Sequence, residues 1–139
     1  MKMYTLKPGE HRFFIVNSWH ANNHSRVYLL KDGVYTISVE PEKQTWTDGR
    51  MPWKQTCDAN GFSHPILDIF SSMKRYRDAK WFTLMGKIQG TRRSSFVIGT
   101  GVSGFKAKSS GELICYANDA RRFYKNNSGS LAVRVMRIE

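Results

Sequence analysis

The chain has 139 residues and a mass of 16.1 kDa, with 40% hydrophobic and 13% aromatic residues. That fits one domain over residues 1–139 and excludes a disordered or low-complexity chain. Its 22 Lys and Arg against 11 Asp and Glu give a net charge of +11, which favours polyanionic partners such as nucleic acid, anionic glycans or acidic membrane surfaces without choosing among them. No apolar run approaches the roughly 20 residues of a membrane span, and the first ten residues lack the apolar core of a signal peptide. The expectation is a soluble protein without membrane insertion, cytoplasmic or exported by an unconventional route.

Taken in chain order, β-branched and aromatic runs alternate with Gly, Asn, Asp and Pro punctuation. Arg12 to Asn17 reads as a first strand and Arg26 to Leu30 as a second. Lys31-Asp32-Gly33 is a tight-turn signal, since Asp-Gly tolerates positive φ, and it predicts that Val34 to Val39 returns as a hairpin partner. Glu40 to Phe62 carries Pro41, Gly49, Pro52 and Gly61 together with Trp46 and Trp53, so it reads as a long ordered loop in which the tryptophans must pack. Ile66, Ile69, Phe70 and Met73 fall at helical spacing, although a strand through Ile66 to Phe70 also alternates. Trp81 to Ile88, Ser95 to Gly99, Glu112 to Ala117 and Ser130 to Ile138 complete the strands, with Gly99 to Gly104 a flexible turn between them. About eight strands at short spacing predict an all-β sandwich or barrel.

Cys57 and Cys115 have neither zinc-ligand spacing nor disulfide-scaffold density, so free thiols in or near the core are expected. His11, His20 and His24 show no metal-ligand spacing. There is no nucleophile elbow, phosphate-binding Gly-rich loop or His-Glu-x-x-His, and nothing sets a separation among Asp58, Asp68 and Asp119 for carboxylate-pair chemistry. The expectation is a protein that binds and does not catalyse.

The stretch from Asn118 to Ser130 concentrates oxygen donors between two predicted strands. A hard cation such as calcium takes about six to eight oxygens, and a loop that returns on itself can bring Asp119, Asn126 and Asn127 together. One carboxylate and two amides leave coordination positions that a sugar diol can fill in place of two waters. An ordinary turn, glycosylated at Asn126 in a secreted setting, is the competing reading of the same residues.

Asn118-Asp119, followed after six residues by Asn126-Asn127-Ser128-Gly129-Ser130 and an alternating apolar strand, resembles the C-terminal calcium loop of the PA-I-type galactophilic lectins, the LecA-like bacterial family. Leu30-Lys31-Asp32-Gly33 with Thr36 to Val39, Asn60-Gly61 and His64-Pro65 resemble earlier parts of that family. The resemblance implies a jelly-roll-like β-sandwich that binds terminal galactosides through one calcium ion bridging two vicinal hydroxyls. It implies Asp119, Asn126 and Asn127 as side-chain ligands that also touch the sugar, and Phe123 as a carbonyl ligand. It further implies Trp46 as a carbonyl ligand whose ring walls the pocket, with His64 and Pro65 on the opposite rim. Tetrameric assembly follows from the family, and a homo-oligomer also from avidity.

The chain departs from the family in three places. Ile66-Leu67-Asp68 follows the His-Pro pair, so Asp68 is the polar residue available there. The segment from Pro65 to Trp81 is longer and carries Lys74, Arg75, Arg77 and Lys80. Arg121 and Arg122 replace small residues in the calcium loop and offer guanidinium forks to a charged glycan, or else are solvated surface arginines. The rival class is a nucleic-acid-binding β-barrel, which accounts for the charge but not for the spacing of Asp119, Asn126 and Asn127.

Overall fold

The segment Ser130–Arg137 shows how the pattern becomes structure: buried Leu131, Val133 and Val135 alternate with half-buried Ala132, Arg134 and Met136, so one face of a strand meets the core. The computed structural model describes residues 2–139. Its strands in chain order are β1 (His11–Asn17), β2 (Asn23–Leu29), β3 (Val34–Val39), β4 (Trp46–Asp48), β5 (Gln55–Cys57), β6 (Asn60–Phe62), β7 (Trp81–Ile88), β8 (Phe96–Val97), β9 (Gly101–Lys106), β10 (Gly111–Ala117) and β11 (Ser130–Arg137).

One antiparallel sheet has the order β1-β11-β3-β9, and the other runs β2-β10-β7-β6 with β8 added to β7. The two face each other across a core that includes Val16, Leu29, Ile37, Leu84, Leu113 and Val133. Each such side chain contributes roughly 1.5–3 kcal/mol when fully buried. The fold is therefore an all-β sandwich, as the strand pattern predicts.

The central pair β7 and β10 is covered on both faces. Phe82, Leu84, Leu113 and Cys115 point to the core, while Met85 and Tyr116 pack outward against Ala79 and Tyr76. The outer cover is the segment between β6 and β7, which opens with a kinked 3-10 turn over Leu67–Met73. Within the turn only Leu67 is buried; Ile69, Phe70 and Met73, with Ile66 just before them, remain exposed. The helical reading of their spacing is thus nearer than the strand reading, but the turn is tighter and the face is not a core face.

Three expectations are corrected. The strands flanking Lys31-Asp32-Gly33 are present, yet they are not a hairpin: β2 pairs with β10 in one sheet and β3 with β11 and β9 in the other. The turn itself is bound across the sandwich, with Asp32 N–H donating to the Ala107 carbonyl and Ala107 N–H to that of Gly33, so the chain crosses between sheets. Gly101–Lys106 is an edge strand rather than a flexible turn, held by β3 and by stacking of Phe105 on Phe96 at 3.9 Å. The long loop from Glu40 to Phe62 contains β4, β5 and β6, and the first two pair with each other. Cys57 is half-buried and Cys115 buried, both as free thiols.

Candidate functional site

Strand β10 delivers Asn118 and Asp119 to the end of the sandwich, where both are completely buried. Asn118 is a staple. Its Oδ1 accepts from Tyr76 N–H at 2.9 Å and its Nδ2 donates to the carbonyls of Tyr76, Ala79 and Lys80, which fixes the outer segment against the strand. Asp119 then faces the returning loop: Oδ2 accepts from Asn127 Nδ2 at 3.0 Å, and Oδ1 accepts from Ala120 N–H at 2.7 Å and from Arg50 at 3.0 Å. Tyr124, buried with its hydroxyl donating to the Ala117 carbonyl at 2.7 Å, anchors the loop between them.

The opposite wall is β4. Thr47 and Ser128 exchange backbone hydrogen bonds at 2.8 and 3.0 Å, which docks β4 on the returning loop. Two glycines allow this approach. A Cβ on Gly49 would overlap the Asn126 carbonyl oxygen, and one on Gly129, at φ +90°, would lie 2.8 Å from Trp46 Cα.

Strand alternation then decides what β4 contributes, since Trp46 and Asp48 share its buried face. Asp48 Oδ1 accepts from Arg50 N–H at 3.0 Å, whereas its Oδ2 has no partner. Burial raises the Asp48 carboxyl, against a lowering by the Arg50 N–H and guanidinium. Burial likewise pushes Asp119 up to about 6; Asn127 opposes this, the neighbouring Asp48 charge adds to it, and Ala120 and Arg50 oppose it.

Among the described residues, the buried side-chain polar atoms without a partner belong to Ser18, Asp48, Arg50, Trp81 and Asn127. All five lie around this cluster: the Ser18 carbonyl accepts from Asn127 Nδ2, and the Arg50 guanidinium sits 5.0 Å from the Trp81 ring. Buried unpaired polar groups are costly, so a concentration of them at one place needs a physical reason. Asp48 Oδ2 and Asn127 Oδ1 beside the Asp119 carboxylate are hard oxygen donors of the kind calcium takes. The residues present therefore fit such a cation, with two carboxylates (−2) against Arg50 (+1) leaving a net −1 to receive it.

The other sequence-derived site residues fall in three groups. Asn126 is exposed at the rim, and Phe123 is 38% exposed with its ring 4.8 Å from the Arg50 guanidinium. Of the two roles expected of Trp46, the ring wall is corrected: the residue is 1% exposed, and its ring donates from Nε1 to the Phe82 carbonyl at 3.1 Å and packs edge-on to Phe82, so the ring has no face for a ligand. His64 and Asp68 bind each other's backbone, with Asp68 Oδ2 accepting from His64 N–H at 3.2 Å, and Pro65 between them is exposed. His64 Nδ1 accepts from the N–H groups of Ile66 and Leu67, which leaves its ring proton on Nε2. Arg121 and Arg122 are exposed and make no ion pair with Asp119.

Sequence reasoning missed Asp48, Arg50 and Trp53. The signal for Asp48 was its spacing two residues beyond a core tryptophan, followed by Gly49. Trp53 lies 6.0 Å from the His64 ring and, with Arg50, Phe70, Met73, Trp81 and Phe123, lines an apolar cavity of about 220 Å³ beside the cluster.

No protein-family model matches the chain, and no curated protein matches it. Among solved structures it is similar to the N-terminal domain of EclA, described as a PllA-like lectin, with a TM-score of 0.64 at 16% sequence identity, over 90% of this chain and 94% of that one. A likeness at that identity establishes the fold, an antiparallel β-sandwich.

Proposed function

We propose that this chain is a carbohydrate-binding lectin without catalytic activity, taking terminal galactosides in a calcium-dependent manner as the PA-I-type family does. The observation that carries the reading is the buried cluster in which the unpartnered Asp48 Oδ2 and Asn127 Oδ1 accompany the Asp119 carboxylate, on and beside the loop that the resemblance implies as a calcium loop. The fold, similar to that of a PllA-like lectin, supports it.

Asp119, Asp48 and Asn127 would hold the ion from beneath, with Asn126 and the Phe123 carbonyl at the exposed side. Calcium bound there supplies the charge that orients two vicinal sugar hydroxyls and fills its coordination with them. Asp119 is already fixed by Ala120 and Asn127, so little side-chain ordering is needed on binding. Trp53 and Phe123 replace Trp46 as the aromatic wall. His64, with its free Nε2–H, and Pro65 and Asp68 behind it form the rim that chooses among sugars. Single sites of this kind are shallow, so several copies would act together. Exposed Phe13 and Ile15 on the edge strand β1 offer an apolar face for that homo-oligomer.

Calorimetric titration of the metal-stripped protein with a galactoside, with and without calcium at moderate salt, tests the reading. Binding that needs calcium and is reversed by a chelator is expected. Binding that ignores the chelator and collapses with salt would replace the proposal with the polyanion-binding alternative.

A further inference from the structure

On the outer face of the second sheet, beside the loop that carries Asp119, lies a cavity of about 230 Å³ whose charged lining is entirely cationic: Arg75, Lys87, Arg92, Arg93 and Arg121. These residues come from four elements. Lys87 rises from β7, opposite Ile114 of β10; Arg92 and Arg93 sit on the turn leading to β8; Arg75 belongs to the outer segment; and Arg121 is on the calcium-type loop. None takes part in an ion pair among the described residues. Like charges gathered in a partly enclosed space repel one another, and a general solubilising charge has no reason to converge from four elements.

The site is built rather than merely basic. The turn is pinned from within by Ser94, whose buried hydroxyl donates to the Ile88 and Thr91 carbonyls and accepts from Ile88 N–H at 2.9 Å. Arg75 is immobilised on the Tyr116 ring at 3.6 Å, and its hydrogens go to the Ala21 carbonyl, the Tyr124 hydroxyl and Asn22. It therefore acts as a fixed positive wall.

On the floor, Tyr116 is 1% exposed and shares a 2.9 Å hydrogen bond with the Ser95 hydroxyl. One of those two hydroxyls donates to the other, so one O–H has no partner and is left for a ligand. Burial raises the Tyr116 phenol, which keeps it a donor, and burial together with Arg75 and Arg121 lowers Lys87, as expected of cations that face one another.

We infer that this cavity is a binding site for a tetrahedral oxyanion, a sulfate or phosphate monoester, carried on a glycan whose uncharged part lies toward the Asp119 cluster. Donors arriving from floor, turn and loop surround a tetrahedral group, whereas a planar carboxylate is satisfied by one guanidinium fork. A glycan is favoured as carrier by continuity. A depression lined by Met73, Lys74, Arg122 and Phe123 shares Arg75 and Arg121 with the basic cavity and Met73 and Phe123 with the apolar cavity beside Arg50. Nucleic acid is disfavoured because the cations converge on one point instead of tracking a backbone. The carrier rests on the lectin reading; the oxyanion pocket does not.

The test uses the full chain with chelator present, titrated with sodium sulfate against sodium chloride at matched ionic strength and followed by amide chemical shifts. Saturable shifts at Lys87, residues 91–95 and Arg121 are expected with sulfate alone. In the combined variant Lys87→Met, Arg92→Gln, Arg93→Asn, where Asn suits the positive φ at 93, sulfate affinity falls by about tenfold or more at an unchanged melting temperature. Shifts that match chloride, or that survive in the variant, overturn the pocket.

An array of sulfated, phosphorylated and neutral galactosides in calcium then identifies the carrier. Preference for either ester, lost in the variant, supports the assignment and names the source. Equal binding of charged and neutral glycans, or tighter binding of a short single-stranded oligonucleotide, overturns the glycan as carrier. Sulfate shifts without any galactoside binding sink the lectin reading and leave the pocket standing.

Discussion

Replacing Arg50 by methionine removes the one described cation that touches Asp119, and it keeps an unbranched side chain of similar reach over Trp81 and Phe123. Breaking a buried ion pair by deleting one partner costs about 3–5 kcal/mol when the remaining charge has no escape. Asp119 has one, because its carboxyl is already pushed up to about 6 by burial and by Asp48 against the opposing Asn127, Ala120 and Arg50. At pH 7.5 its ionised form in the parent lies only about 2 kcal/mol below the protonated form, from 1.36 kcal/mol for each of roughly 1.5 pH units. Once the loss of Arg50 exceeds that, the acid takes up a proton, so Arg50→Met is expected to cost about 2 kcal/mol in chelator at pH 7.5.

The pH and metal dependence follow from the same numbers. Folded Asp119 holds its proton more tightly than the unfolded carboxyl at 3.8. Metal-free parent protein therefore loses stability from this group as pH rises from about 4 to about 6, and nothing further above that window. At pH 5.5 Asp119 is largely protonated in parent and variant alike, and the cost of Arg50→Met nearly vanishes. Saturating calcium at pH 7.5 replaces the guanidinium as counter-charge and brings the two proteins together. Urea unfolding of both at pH 5.5 and 7.5, in chelator and in calcium, measures every term. A deficit that is the same in all four conditions refutes the electrostatic account, and a parent unaffected by calcium refutes the cation site.

Gly49→Ala drives a methyl into the Asn126 carbonyl oxygen, so it should cost about 1–3 kcal/mol and weaken calcium binding by separating β4 from the returning loop, as thermal melts and calorimetry will report. The Cys57 thiol is pushed up to about 12, by burial first and then by Asp58 and Asp48. Only about one molecule in ten thousand carries the thiolate at pH 8, so alkylation followed by mass spectrometry should be slow in the native protein; labelling at the unfolded rate contradicts the burial. Phe13→Asp with Ile15→Asp, both on the exposed face of β1, should lower the sedimenting mass without lowering the melting temperature; an unchanged mass removes that face as the oligomer contact.

Much of this was legible in the sequence wherever one physical rule acted alone. β11 announces itself by apolar alternation, and β1, β7 and β10 by β-branched and aromatic runs set between turn residues. Which sheet each strand joins was not legible: Asp32-Gly33 specifies a reversal, and a reversal within one sheet and a crossing between two use the same local chemistry. β9 was hidden because Gly101, Ser103 and Gly104 give an exposed edge strand no apolar face to display. At the site, Asp119 and Asn127 were readable from loop spacing, whereas Asp48 needed the register of a three-residue strand. Trp46 was misjudged for the same reason, since an aromatic residue near a loop can turn either way and here the core claims it.

In the proposed function, the division between what would hold an ion and what would select a ligand follows from how the elements are built. Asp48, Asp119 and Asn127 come from β4 and from the loop between β10 and β11, which the sandwich itself supports. The groove from Trp53 to the basic cavity is instead walled by the segment before β7 and by the turn before β8. That wall is not a loose lid. Leu67 packs with Trp81 and Ala120, Tyr76 and Ala79 cover Met85 and Tyr116, and the Asn118 side chain ties the segment down at Tyr76, Ala79 and Lys80. A wall pinned at both ends holds its cations in place before a ligand arrives, so charge selection adds little ordering cost to binding. The wall touches the cluster through the loop that carries both Asp119 and Arg121, through Arg75 N–H on the Asp119 carbonyl, and through Arg50, which lines the groove. Among the described residues, the cations of the basic cavity make no hydrogen bond to the Asp48, Asp119 or Asn127 side-chain oxygens, so the preference for charge can change with those residues while the oxygen cluster stays intact.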